Sequence, residues 1–203
     1  MANDRKTALI TGSGQNIGKA CALALAKNGF NVVINGRKQR DQCDDVADQV
    51  SRLGPEALVA MGDVGTREGC EAIVKPALER FGRIDVLVHN AALRPSSPFL
   101  EMNEDDWHHI LNVNMNASFW LARLTLPGMV EAGWGRIINF AGMNAMHGYN
   151  GRAHVSTSKH GNLGLTKSLA KEFGPKGITT NLVSPGPIRP DNGDPDTLAH
   201  HAE

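Results

Sequence analysis

What most limits the folds open to this chain is a strict alternation of short apolar runs with helix-like segments from one end to the other. Lys6 to Thr11 (KTALIT), Asn31 to Asn35 (NVVIN), Ala57 to Met61, Ile84 to His89 (IDVLVH), Gly135 to Ala141 (GRIINFA) and Ile178 to Val183 (ITTNLV) read as strands. Between them, Gln15 to Asn28, Arg40 to Leu53, Thr66 to Phe81, Asn103 to Ala132 and Arg152 to Phe173 read as helices. Gly29 closes the first helix and Gly54-Pro55 the second, while Thr66 is a fair N-cap and Pro76 an awkward interior residue for the third. Ile84 to His89 is the most convincing strand, short, β-branched and apolar on both faces, as expected where helices cover a sheet on both sides. Strand–helix–strand units of this kind build a parallel sheet with right-handed crossovers. The expectation is one α/β domain over 1–203: a doubly wound parallel sheet of about six strands in a three-layer α/β/α sandwich, with no internal repeat.

At 203 residues the chain is long enough to bury a sizeable core. Its 21 basic and 21 acidic residues cancel, which argues against a nucleic-acid or anionic-membrane partner. No apolar run approaches the ~18 residues of a membrane span, and Met1 to Lys6 lead into a strand without a signal-peptide core. Cys21, Cys43 and Cys70 are isolated and odd in number, which reads as free thiols in a reducing, cytoplasmic setting. The histidine pairs His108-His109 and His200-His201 lack metal-ligand spacing, so no metal is expected.

The turn Thr11-Gly12-Ser13-Gly14-Gln15-Asn16-Ile17-Gly18 stands where the first strand hands over to the first helix. Glycines there let backbone N–H groups approach a diphosphate, and the helix N-terminus favours negative charge. The spacing is not GxGxxG, and a plain tight turn is the alternative. Thr11, Gly12, Ile17 and Gly18 resemble the TGxxxGIG turn of the short-chain dehydrogenase/reductase family, with Asn16 in place of one glycine. Asparagine is the non-glycine residue that best tolerates positive φ, so the turn is expected to survive. Other landmarks follow in order. Asp63-Val64 resembles the acidic step that holds the adenine, and His89-Asn90-Ala91-Ala92 resembles the NNAG turn. Asn181 to Pro187 (NLVSPGP) resembles the nicotinamide-side loop, which places Pro185 and Gly186 at the cofactor. The resemblance covers nearly the whole chain and implies a Rossmann-type fold, a nicotinamide nucleotide, and hydride exchange with a small carbonyl or secondary alcohol. Asn35-Gly36-Arg37-Lys38 carries no carboxylate until Asp41, so NADP is expected, with Arg37 on the 2′-phosphate and NAD the alternative.

The family's Asn, Ser, Tyr and Lys map here without insertion. Asn114 and Lys159 match, the lysine also serving the nicotinamide ribose. The tyrosine position is Val155, and the serine, 13 residues earlier, is Gly142. Neither replacement offers a donor or acceptor. Three readings follow. The chain is an oxidoreductase whose acid comes from another residue, with Tyr149 and His154 the leading candidates beside His147 and Ser156. Alternatively it performs a non-redox lyase or isomerase step on the same fold, or it binds nucleotide without catalysis. The family resemblance also implies a homodimer or homotetramer through helices 103–132 and 152–173, where Leu121, Leu124, Leu163 and Leu169 suit either an interface or the core. The loop 92–99 and residues 143–151 are expected to line the substrate pocket. After Gly186 the family usually adds a helix and a seventh strand. Here Pro190 to Asp196 read as a loop, so that strand is expected to be missing and the chain to be a shortened version of a longer protein.

Overall fold

A computed structural model describes residues 5–143, 147–186 and 188 of the chain. Six parallel strands lie in the order β3-β2-β1-β4-β5-β6, being β1 Thr7–Ile10, β2 Asn31–Gly36, β3 Ala57–Met61, β4 Val86–His89, β5 Gly135–Phe140 and β6 Ile178–Val183. The helices that connect them are α1 Asn16–Lys27, α2 Arg40–Arg52, α3 Arg67–Phe81, α4 Glu104–Leu111, α5 Ala117–Glu131 and α6 Ala153–Phe173. β1 pairs with β2 on one side (Leu9 opposite Val33) and β4 on the other (Leu9 opposite Leu87). The winding reverses between β1 and β4, where an open crevice forms at the strands' carboxyl ends.

Successive strand residues face opposite layers. Leu9, Val33, Leu87 and Ile137 pack with Ile73 of α3 and Leu121 and Met129 of α5. Ala8, Ile10, Val32 and Val88 pack with Ala22 of α1 and Val46 of α2. Small alanines on α1 let it lie close to the sheet, beside the glycine turn. Leu121 is wholly buried, and Leu124 and Leu169 are partly buried against the same core.

The helix ends carry the expected signals. Thr66 caps α3, its hydroxyl accepting from the Gly69 N–H at 3.0 Å, and α3 runs through Pro76. Asn103 caps α4 by accepting from the Asp105 N–H at 2.7 Å, ahead of Glu104, Asp105 and Asp106 in the first turn. One expectation changes. The segment 103–132 is not a uniform α-helix, because a widened π turn over Asn112–Asn116 separates α4 from α5. Two side chains take up its backbone carbonyls. His89 Nε2 lies 3.2 Å from the Val113 oxygen, and the Asn162 amide donates to the Asn114 oxygen at 2.6 Å. β6 is an edge of the described sheet. The expected missing strand and shortened end concern 189–203, outside the described residues. No helix among the described residues is long and apolar enough to cross a membrane.

Candidate functional site

The glycine turn is held from behind by strand-end polar groups. The Thr11 hydroxyl accepts from the Asn90 and Ala91 N–H groups, both at 3.0 Å. The Asn90 amide donates to the Thr11 and Gly12 carbonyls at 3.0 and 3.1 Å. Gly12 sits at φ +61°, where its missing side chain also leaves room for Ala91. A Cβ on Gly18 would collide with the Gly12 carbonyl oxygen. Asn16 adopts φ +50°, so asparagine does sustain the left-handed step there. Ser13 is fully buried, its hydroxyl donating to the Ile10 carbonyl and accepting from the Asn35 N–H. It therefore braces the turn from inside.

In front of the turn runs a groove of about 300 Å³ lined by Gly12, Gln15, Asn16, Ile17, Arg37, Asp63, Val64, Asn90, Ala91 and Ala92, with Leu93, Arg94 and Val113 beyond them. A second hollow of about 320 Å³ continues past Gly14 to Gly36, Arg37 and Lys38, sharing Gly12, Gln15, Asn35 and Arg37 with the first. The first turn of α1 opens onto the groove with no side-chain cap and no acidic residue. Its N–H groups remain available to an anion. This donor-rich, glycine-cleared cradle fits the diphosphate of a dinucleotide.

Arg37 and Asp63 meet each other at the β2–β3 end of the groove, the guanidinium donating to Asp63 Oδ2 at 3.3 Å, and Asp63 Oδ1 accepts the Gly65 N–H. Asn35, at the end of β2, ties three elements together. Its amide donates to the Ala60 carbonyl at 3.0 Å, and its oxygen accepts the Gly12 N–H.

At the other end, Asn114 is fully buried and committed to protein partners. It accepts the Leu93 N–H at 2.8 Å and donates to the Leu93 carbonyl and the Ser158 hydroxyl. Lys159 is 2% exposed and donates to the Phe140 carbonyl at 2.7 Å. Burial, and then the Arg94 charge, push its pKa down to about 7. His89 stands where the NNAG pattern has its first asparagine. It is buried, touching the Ser118 hydroxyl through Nδ1, and its pKa falls to about 3 through burial, helped by Lys159 and opposed by the Val113 carbonyl. A neutral ring is therefore the rule, with Nε2–H donating to Val113.

Gly142 follows β5 with open space where a Cβ would stand, and Val155 is 6% exposed in the first turn of α6. Tyr149 is exposed, and the Arg152 guanidinium lies 4.5 Å from its ring centroid. His154 is wholly enclosed, its Nδ1 accepting the Val155 N–H and its Nε2 without a partner. Ser156 is partly buried, with its hydroxyl unpartnered, and His147 is exposed. Pro185 accepts the Met143 N–H at 3.2 Å; neither it, Gly186 nor Lys159 lines the groove. Among the described residues no cluster of three metal-ligating side chains occurs.

The family model for short chain dehydrogenases matches residues 6–198, and the chain belongs to that family of nicotinamide-dependent oxidoreductases. A 3-oxoacyl-[acyl-carrier-protein] reductase from Synechocystis is 36% identical over 186 residues, 92% of this chain and 75% of that protein. Nodulation protein G of Azospirillum brasilense is 36% identical over 187 residues, 92% of this chain and 76% of that protein. The crystal structure of acetoin dehydrogenase from Salmonella typhimurium superposes with a TM-score of 0.89 at 33% identity, covering 95% of this chain and 77% of that one.

Proposed function

We propose that this chain is an NADP(H)-preferring reductase of a small carbonyl compound, or equally a dehydrogenase of the corresponding secondary alcohol. The observation that carries this is the continuous groove from Lys38 past the uncapped N-terminus of α1 to Arg94. When bound, the nicotinamide supplies or accepts the hydride at the substrate carbon. Gly12 to Gly18 grip the diphosphate, and Asp63, Val64, Asn90, Ala91 and Ala92 form the walls. Pro185 and Gly186 stand on the nicotinamide side. Arg37 and Lys38, in a turn that carries no carboxylate of its own before Asp41, favour the 2′-phosphate; Arg37 exchanges its partner Asp63 for it.

With Val155 and Gly142 at the usual donor positions, the proton for the carbonyl oxygen comes from Lys159. Burial lowers its pKa to about 7, into the range in which a general acid works at neutral pH. Asn114 acts as a positioning residue that fixes Leu93 and α6 around it. Tyr149, whose ring the Arg152 guanidinium covers, is the rival donor. The enclosed His154 is a weaker one. The protein acts in the cytoplasm as a homo-oligomer through α5 and α6, where Phe119 remains exposed.

The test is oxidation of NADPH followed at 340 nm with a panel of ketones, aldehydes and oxo acids. Turnover that falls at least 100-fold in Lys159→Met, and less than 10-fold in Tyr149→Phe and His154→Ala, supports this assignment. Loss in Tyr149→Phe instead transfers the proton to Tyr149. Nucleotide binding without turnover on any substrate leaves a binding protein or a non-redox enzyme.

A further inference from the structure

Arg94 stands at one end of the groove, with the charges of Arg152 and Lys159 near enough to act on it or be acted on by it, and no described carboxylate pairs with any of the three. Arg94 lines the groove next to Leu93, makes no hydrogen bond or ion pair among the described residues, and is exposed to solvent. Protein crowding nevertheless holds its pKa below the ordinary arginine value, and the Arg152 charge adds to this. Arg94 in turn acts on Lys159. Two loops impose the arrangement. The Ser97 N–H donates to the Gly151 carbonyl at 2.7 Å, and Ser96 Oγ fills the space where a Gly151 side chain would stand. Arg152, at the foot of α6, rests on Tyr149 and keeps Nε buried without a partner. Every ion pair among the described residues lies elsewhere, on the pairs of Lys19, Arg37, Arg40, Arg67, Lys75, Arg80 and Arg83. Close uncompensated cations repel one another and leave donors unused, costs that an incoming oxyanion relieves. Planar guanidinium groups are the natural receptors for a carboxylate or phosphate.

We propose that Arg94 and Arg152 form an anion subsite that holds a carboxylate or phosphate on the substrate and directs its carbonyl toward Lys159. This makes the substrate a charged oxo compound rather than a neutral ketone, and it rests on the reductase reading above only for the identity of the reacting carbonyl.

The test is a binding titration followed by thermal shift, run with and without saturating NADPH. Acetoacetate is compared with its methyl ester, and dihydroxyacetone phosphate with dihydroxyacetone. The expected result is that at least one anion binds 10-fold or more tighter than its neutral counterpart. That preference should vanish in Arg94→Gln and invert in Arg94→Glu, variants at an exposed position that leave the core untouched. The arm that shows it names carboxylate or phosphate. Equal binding of anion and neutral counterpart, or a preference that survives Arg94→Glu, overturns the proposal. So does a parallel loss of NADPH affinity in Arg94→Glu, since the arginines would then serve the cofactor. Anion preference in the absence of any NADPH binding or turnover sinks the reductase reading and leaves the subsite standing.

Discussion

Gly18 shows how a single hydrogen atom decides whether the cradle closes. Gly18→Ala places a methyl against the Gly12 carbonyl and the Asn90 amide, both of which are fixed by hydrogen bonds. The expected cost is about 3 kcal/mol in urea unfolding, with NADPH affinity falling as the turn is forced open. Asn16 is the milder case. Asn16→Gly should keep or slightly raise stability, whereas Asn16→Val should lose about 1–2 kcal/mol, because a β-branched residue resists φ +50°. Lys159 carries a pH signature. Unfolded, its amine holds a proton up to its ordinary pKa of 10.5; folded, only up to about 7. Between those values the unfolded chain binds more protons, so this residue's penalty is complete below pH 7 and fades as the pH rises towards 10.5. Lys159→Met should therefore melt higher than the parent at pH 6, and the gap should close by about pH 10. If the gap is independent of pH, the amine is not buried as described.

At the scale of elements, the strands and most helices were legible and the break within 103–132 was not. Short, largely apolar runs identified the six described strands, and glycine and proline punctuation placed most helix ends within a residue or two. The π turn at Asn112–Asn116 was not legible, because it arises from contacts across the fold: His89 takes the Val113 carbonyl and Asn162 takes that of Asn114. Neither pairing leaves a periodicity in the sequence. The same holds for Asn35, whose amide joins β2, β3 and the glycine turn, and for Arg94, which matters only once two loops are seamed together. Asn114→Ala should consequently act as a structural lesion, unseating Leu93 and Ser158 at a cost of about 2 kcal/mol, as well as lowering turnover. The gap between β5 and α6 offers a gain-of-function counterpart. A side chain on Gly142 meets open space, so Gly142→Ser combined with Val155→Tyr should raise carbonyl reduction about 10–100-fold by supplying a positioned donor. No gain in a folded double variant would mean that the reacting oxygen lies elsewhere.

For the whole molecule, the central claim is that a dinucleotide runs along the carboxyl edge of the sheet, from the Arg37–Lys38 turn to the Arg94 corner. Sheet order, uncapped α1 and twin hollows make one track, and the acid and the anion subsite acquire their roles from it. The direct measurement is an equilibrium titration with NADPH and NADH, read by quenching of Trp107, Trp120 and Trp134 and by thermal shift, on the parent and on Arg37→Ala. The account predicts saturable binding of both nucleotides with NADPH the tighter, and an NADPH-specific loss of about 10–100-fold in Arg37→Ala while NADH is little changed. Absence of any response to either nucleotide at millimolar concentration would contradict it.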